Sequence, residues 1–515
     1  MKKLLNILLS RLVLTGAIIA LQAFILVFTI VRLSEFYVYI YAANVILSIV
    51  IVLYLVSTDN SPSLIIPWII IIMALPVLGG FLYVLFGKNK MSEAEISEAK
   101  IISKKVIDAR SENEIADDDV LEELKLKDMA AYRQARYIDE YANAPIYKNT
   151  KTQLLDSGEN YYAKLLEILE EAEHYIFMEY FIVQEGKFFN SILEILEKKV
   201  KEGLDVRFMY DDLGSIRTLP SKYDQILEKK GIKCVKFNPF KPVLSIIHNN
   251  RDHRKICVVD GYKGITGGIN LADEYINEVE RFGHWKDSGI YLEGEAVFNL
   301  TNIFLESWNF YRNEDVDFFK YAPQIHQKKK VRSDGFVQPF DDSPRDQELV
   351  GESVYMNMIN YAKKYIYINT PYLIVDHEIV FSLISAAKRG VDVRITTPHI
   401  PDKAYVHIMT QSYYERLISA GVKIFEYKPG FIHAKSFVCD DEVAVIGTIN
   451  LDYRSLVHHF ECGVWLYKSS AIKALYNDYI KTQKICIEVT IEACKSVPFY
   501  IRWKRRLLQL VAPLL

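Results

Sequence analysis

The chain carries one six-position pattern twice, and any fold must accommodate both copies. Histidine, any residue, lysine, four residues, aspartate, six residues, glycine, a small residue, any residue and asparagine occur as His253, Lys255, Asp260, Gly267, Gly268 and Asn270. They recur as His433, Lys435, Asp440, Gly447, Thr448 and Asn450. The agreement runs upstream of each copy in the same order. EHYIFMEYFIV, EGLDVRFMYDD and ILEKKGIKCVKFNP precede the first, and KKYIYINTPYLIV, KRGVDVRITTP and RLISAGVKIFEYKP precede the second. Pairing Gly231 with Gly421 and Pro239 with Pro429 uses one offset, so register holds over a run. A duplicated structural unit explains this; a chance match of short motifs does not.

Within each unit, apolar β-type runs such as DVRFMY and DVRITT alternate with amphipathic stretches such as YYAKLLEILEEAE and EIVFSLISAAKRG. The expected fold is α/β: two tandem α/β sandwich domains, residues 151–325 and 340–515. A pseudo-two-fold relation between them brings equivalent loops to one seam.

A histidine and a lysine two apart on a strand share a face, which sets a titratable base beside a fixed cation. Phosphoryl transfer uses that pair. Imidazole attacks phosphorus, while the ammonium of Lys255 or Lys435 and the amides of Asn270 and Asn450 neutralise the non-bridging oxygens. A second histidine protonates the leaving alcohol and deprotonates the incoming one. Asp260 and Asp440 complete the motif and, following an apolar strand, are expected to close a turn and support the catalytic pair. Each histidine also needs its other nitrogen held. Asp287 in HWKDSGIYL and Glu461 in HHFECGVWL stand in matched context and are the orienting candidates.

Three uncharged apolar runs, Leu12 to Val31, Phe36 to Val56 and Leu64 to Phe86, predict an amino-terminal anchor of two or three transmembrane helices within residues 1–87. Lys2, Lys3 and Arg11 before them and Lys88 and Lys90 after them favour a cytoplasmic catalytic part, although three full spans would not satisfy both ends. Residues 88–150 are charge-dense and predict a solvated helical linker. The end, FYIRWKRRLLQLVAPLL, reads as a basic amphipathic helix, suited either to an anionic membrane surface or to packing on the domain.

The formal net charge of -3 gives no global reason to expect a nucleic-acid partner. The six cysteines form no CxxC pair and no Cys/His cluster with zinc spacing, so they are expected as reduced core residues and no metal is expected.

Together with the duplicated pattern, YDDLGS (Tyr210 to Ser215), NTPYLIVD (Asn369 to Asp376), IPDK (Ile400 to Lys403) and EYKPGFIHAK (Glu426 to Lys435) resemble the bacterial cardiolipin synthase branch of the phospholipase D superfamily. The resemblance covers roughly the last three quarters of the chain and the anchors. It implies that His253 and His433, with their lysines, are catalytic, and that Asn270, Asn450, Gly268 and Thr448 lie on the substrate side. It also implies transfer between two phosphatidylglycerols through a phosphohistidine, first on His253, giving cardiolipin and glycerol at a cell membrane without metal or organic cofactor. A membrane-bound hydrolase of phospholipids would use the same residues. The sequence leaves the oligomeric state open.

Overall fold

The computed structural model describes residues 37–58, 61–86, 93–112, 118–240, 250–312, 316–327, 335–345 and 348–514, with isolated positions at 20, 23–24, 27–28, 314 and 331–332. The first apolar run therefore lies mostly outside the described residues. The described residues fall into two compact units, one drawn from Met1–Lys90, Pro239–Asn249 and Pro513–Leu515, the other from Met91–Asn238 and Asn250–Ala512.

Among its described residues the first unit includes the apolar helices α1 (Tyr37–Val56), α2 (Pro62–Ala74) and α3 (Pro76–Phe86). The run expected from Leu64 to Phe86 is thus two helices. Pro76 bars Leu75 from the helical region, and Leu75 sits at φ -132°, ψ 70°. Ile51, Leu55, Ile65, Ile72 and Tyr83 form a small core, with Trp68 edge-on to Tyr83 at 5.4 Å. Gly80 lets two helices approach, since a Cβ there would stand 3.0 Å from the Ser48 hydroxyl. Among the described residues no helix is long and apolar enough to cross a membrane. The nearest is α1, which has no charged residue.

The second unit begins with α4 (Glu93–Glu112), α5 (Asp118–Lys127) and α6 (Met129–Ala142). This charge-dense stretch is helical but differs from the solvated linker expected. Ile102, Val106, Leu124, Ala131, Ala135 and Ile138 are buried, because each helix turns one apolar stripe to the body and leaves its charges outside.

Eight strands follow: β1 (Thr150–Leu155), β2 (Tyr175–Tyr180), β3 (Asp205–Asp211), β4 (Lys233–Phe237), β5 (Lys255–Val259), β6 (Lys263–Gly267), β7 (His284–Lys286) and β8 (Gly289–Gly294). Their helices are α7 (Gly158–Glu170), α8 (Lys187–Lys201) and α9 (Val297–Arg312). The later residues form β9 (Phe336–Asp342), β10 (Tyr365–Asn369), β11 (Leu373–Ile374), β12 (Asp392–Pro398), β13 (Lys423–Tyr427), β14 (Gly430–Ile432), β15 (Ser436–Cys439), β16 (Val443–Gly447), β17 (Leu451–Asp452), β18 (Glu461–Tyr467) and β19 (Cys486–Glu488). With them come α10 (Val350–Tyr361), α11 (His377–Lys388), α12 (Ala404–Ile418), α13 (Ser470–Gln483) and α14 (Phe499–Val511).

The first sheet runs β1-β8-β6-β5-β2-β3-β4 and the second β9-β18-β16-β15-β10-β12-β13-β19. Strand for strand the orders coincide, with β19 added at one edge. Parallel pairing also falls at equivalent places, β2/β3/β4 and β10/β12/β13, where helices make the crossovers. β2 is buried along its whole length, as expected for a strand covered on both faces. Its cover is legible in sequence: α7 buries Tyr161, Leu165, Ile168 and Leu169, one helical face, and starts where the Ser157 hydroxyl accepts from the Asn160 amide. One continuous core contains Ile290 and Leu292 of β8 with Val464 and Leu466 of β18, so the two sheets share an interior.

Asp260 and Asp440 take equivalent structural posts. Each adopts positive φ, 49° and 55°, in the turn after its strand. Asp260 accepts from the amides of Glu173, His174 and Tyr175 at 2.8 Å, and Asp440 from those of Lys363, Lys364 and Tyr365 at 2.7–2.9 Å. They pin the start of β2 and β10, and each carboxylate is occupied by main chain. Replacing Asp260 with alanine strands three donors and is expected to cost about 3 kcal/mol, lowering the apparent Tm of the full chain in detergent by about 5 °C. Asp260→Asn, which keeps one acceptor oxygen, should lose clearly less in the same thermal scan.

Candidate active site

The two His-x-Lys pairs, expected on strands, lead into them: His253 stands before β5, which opens at Lys255, and His433 and Lys435 stand between β14 and β15. Main chain from the opposite half receives them. β14 pairs in parallel with β7, and the His433 amide donates to the Lys286 carbonyl at 2.7 Å. At the equivalent place a parallel bridge joins Asp252 to Phe460, and the His253 amide donates to the Phe460 carbonyl at 2.9 Å. Lys286 and Phe460 each precede a candidate orienting carboxylate by one residue. Main-chain pairing across the seam therefore sets each histidine against the carboxylate of the other half.

The side chains follow. His253 Nδ1 lies 2.9 Å from both oxygens of Glu461, and His433 Nδ1 lies 2.7 Å from Asp287 Oδ2. Both carboxylates are fully buried. Burial alone would raise them, but the histidine against each reverses the shift and holds Asp287 below, and Glu461 far below, the usual carboxylate range. Burial lowers the histidines as well: His253 is held well below its ordinary value against the pull of Glu461, and His433 is brought to about 4. These shifts describe one state. An ionised carboxylate only accepts, so Nδ1 donates and Nε2 keeps its lone pair.

Lys255 and Lys435 are buried beside the histidines, each donating its ammonium to the carbonyl of the histidine two residues before it. Burial lowers Lys255 to about 8 and Lys435 to about 7. Lys255 also acts electrostatically on Lys435 and His433, so the two motifs occupy one field.

The remaining motif residues serve the carboxylates and loops. The structure gives Gly268 and Thr448 contacts other than substrate. A Cβ on Gly268 would stand 2.1 Å from Asp287 Oδ1, so the absence of a side chain makes room for that carboxylate. Thr448 donates its hydroxyl to Glu461 Oε2. Asn270 accepts from the Ile182 amide at 2.9 Å and donates to the Tyr275 hydroxyl at 2.7 Å, whereas Asn450 donates to the Ser455 hydroxyl at 3.0 Å. Both amides hold the wall of the site through part of their capacity.

Sequence reasoning missed several residues. His459 Nδ1 stands 3.5 Å from Glu461 Oε1, and its ring lies 5.5 Å from that of His253. Trp285, two residues before Asp287 as His459 is two before Glu461, lies 5.4 Å from the His433 ring. The matched strings HHFECG and HWKDSG carried that signal. Arg251 is clamped to Asp211 at 2.9–3.0 Å, and Arg254 to Asp252 and Glu179 at 2.9 and 2.7 Å, which anchors the main chain on either side of His253. Nothing in local spacing marks those partners. The ligand-type atoms of His253, His459 and Glu461 lie within 4.8 Å of one another, the group among the described residues able to hold a metal ion. Hydrogen bonding to Glu461 already accounts for the His253 contact.

Residues 355–482 match the family described as "Cardiolipin synthase, PLD-like domain", and residues 42–88 match "Phospholipase_D-nuclease N-terminal". A cardiolipin synthase of Alkalihalophilus pseudofirmus is 36% identical over 91% of this chain and 92% of its own length. The chain belongs to the cardiolipin synthase family. Another member, from Halalkalibacterium halodurans, is 34% identical over the full length of both proteins. Among solved structures, the phosphatidylserine synthase of Haemophilus influenzae superposes with a TM-score of 0.54 at 15% identity, covering 74% of this chain and 99% of that one. That likeness establishes the phospholipase D-like fold.

Gly268→Ala is the sharpest single test of the crossed pairing. Its methyl group displaces Asp287 from His433, and kcat is expected to fall about 100-fold or more while the apparent Tm moves by only a few degrees. Unchanged kcat would show that Asp287 does not orient His433.

Proposed function

We propose that this member of the cardiolipin synthase family is a phosphatidyl transferase that joins two phosphatidylglycerols into cardiolipin and releases glycerol. The observation that carries the reading is the pair of buried histidines, each held at Nδ1 by an ionised carboxylate with a buried lysine beside it. Such a pair suits two successive displacements at one phosphorus.

In the first, His253 Nε2 attacks the phosphodiester phosphorus of one phosphatidylglycerol. The phosphorus–oxygen bond to the headgroup glycerol breaks, and His433, carrying a proton on Nε2, transfers it to the departing oxygen. In the second, neutral His433 takes the proton from a headgroup hydroxyl of another phosphatidylglycerol. That oxygen attacks phosphorus and breaks the bond to His253 Nε2. Lys255, Lys435, Asn270 and Asn450 face the non-bridging oxygens, whose charge would reprotonate the lysines and help His433 hold its proton. Nucleophile duty is given to His253, whose Nδ1 is served by both Glu461 oxygens.

The lipid substrate fits an amino-terminal anchor of two or three spans with the catalytic body, read as two domains at 151–325 and 340–515, on the cytoplasmic side. In support, α1 exposes Val38, Tyr39, Ile46, Leu47, Val50, Leu53 and Val56, and carries no charge that water would solvate. An anchor confines both substrates and enzyme to one surface, which favours a lipid hydroxyl over water as acceptor.

The deciding experiment supplies labelled phosphatidylglycerol to the reconstituted full chain. Cardiolipin and free glycerol are expected, with both lost in His253→Ala and His433→Ala; phosphatidic acid without cardiolipin would make the protein a hydrolase. His433→Ala, with deprotonation of the acceptor removed, should retain label on protein from a substrate with a good leaving group, and His253→Ala should not.

A pH profile tests the lysines. Each is cationic below its value and neutral above it, so the free enzyme loses its phosphate-facing charge as pH rises through about 7 for Lys435 and about 8 for Lys255. kcat/KM is therefore expected to fall along an alkaline limb in that window, well below the ordinary lysine range, and a flat profile up to pH 9.5 would refute it.

A further inference from the structure

The closing helix lies against the body with a mixed side inward, on which Ile501 and Leu508 are half-buried beside polar residues. Arg505 of α14 donates to Gln411 of α12 at 2.6 Å, and Arg502 and Gln509 are half-buried on the same side. No residue of α14 is fully buried. Outward point Phe499 and Tyr500, each 70% exposed, with Trp503, Leu507 and Leu510 also exposed. At about 100° per residue, these five occupy a stripe about 100° wide. Exposed Arg506 borders it on one edge and exposed Lys504 on the other.

A helix resting on a protein in water puts its apolar stripe down and its charges up. α14 also turns a second apolar stripe up, between exposed Lys504 and Arg506, which leaves contiguous aromatic and aliphatic surface, with Phe499 and Trp503 rings 6.1 Å apart, uncovered. An apolar stripe edged by two cations matches a bilayer whose apolar interior begins just beneath a plane of lipid phosphates. A water-exposed packing helix would need neither the stripe nor its cationic borders.

The stripe is mechanically tied to the site. α14 packs on α12, and α12 follows a loop whose Ile400 amide donates to the Gly430 carbonyl at 3.4 Å. In that loop Asp402 accepts from the Tyr372 hydroxyl at 2.7 Å. Phe431, next to Gly430, stacks on the His433 ring at 5.8 Å. Ile400, Lys403 and Tyr405 of this stretch are exposed as well.

We propose that the outward face of α14 docks on an anionic lipid bilayer, with Phe499, Trp503, Leu507 and Leu510 entering the interface and Lys504 and Arg506 meeting lipid phosphates. The contact holds the His433 wall of the site at the surface, independently of the amino-terminal helices. It stands or falls without reference to which phospholipid reaction the site performs.

Trp503 is its own probe. Trp308 and Trp465 are fully buried, Trp285 is buried, and Trp68 belongs to the first unit. The full chain carrying Trp68→Phe is reconstituted into vesicles of phosphatidylglycerol with phosphatidylcholine whose acyl chains are brominated. The emission lost on adding Trp503→Phe isolates the Trp503 signal. That signal is expected to drop at least about twofold in brominated lipid, to resist aqueous acrylamide, and to recover when Lys504→Gln and Arg506→Gln are introduced together. Quenching by acrylamide with none by brominated lipid would put the helix in water and overturn the proposal. Protection from both quenchers would mean that protein, such as a second copy, covers the stripe. Equal quenching in pure phosphatidylcholine would overturn the anionic specification. These readouts need no turnover, so a failed transferase assay leaves them intact.

Discussion

The crossed histidine–carboxylate pairs are the contact on which the site depends. Neither half contains a complete histidine–carboxylate pair: His253 is held by Glu461 across the seam, and His433 by Asp287 in the other direction. Main-chain pairing of β14 with β7, and of Asp252 with Phe460, imposes that exchange before any side chain is placed. The buried Lys286–Asp478 ion pair, at 2.8 Å, ties β7 to α13. A common core beneath the seam fills the rest, so separating the halves would expose both the apolar interior and two ionised, unpaired carboxylates. The duplication is functional because each copy completes the other.

Holding ionised groups out of water is costly unless every one is paired, and this site meets the cost with a surrounding lattice of charge. Arg251 and Arg254, on either side of Asp252 and His253, are locked to Asp211, Asp252 and Glu179. The lysines are different. Among the described residues each has a main-chain carbonyl and no carboxylate within ion-pair distance, and burial has drawn both well below the ordinary lysine range. In the proposed reaction a phosphodiester between them would restore their charge. Substrate would then supply the counter-ion, and binding energy would go into the electrostatic field that the displacement needs.

Much of this was legible in the chain. The repeat in sequence is a repeat in strand order, because alternating apolar runs and amphipathic helices leave few ways to cover a sheet on both faces. Asp260 and Asp440 were recognisable as turn supports from their position after an apolar strand, and matched context marked Asp287 and Glu461, the two carboxylates that stand against the histidines. What local pattern could not carry was partnership across the seam. Nothing within HWKDSG says that its carboxylate serves a histidine about 150 residues away, nor that Gly268 is small to admit Asp287. The charged stretch before β1 misled for a related reason: surface charge dominates its composition, while the apolar stripe that buries Ile102, Val106 and Ala135 is set by tertiary contact.

The two halves, equal in motif, are unequal in detail, and the inequality supports two roles. Asp287 is short, stands against a residue without a side chain, and offers one oxygen to His433, whose ring is surrounded by Trp285, Tyr275 and Phe431. Glu461 is longer, takes a hydroxyl hydrogen bond from Thr448, and offers both oxygens to His253, beside a second imidazole from His459. The first setting is the more aromatic. The second combines one aromatic ring, Phe181 at 5.2 Å, with a hydroxyl and an imidazole. A ring that must swap protons with a leaving and then an incoming oxygen gains from small rotations in an apolar cup, whereas a ring that must aim one lone pair at phosphorus gains from a carboxylate fixed on both sides. Divergence between the duplicated halves has therefore worked on the neighbours of the histidines while leaving the spacing of the motif untouched.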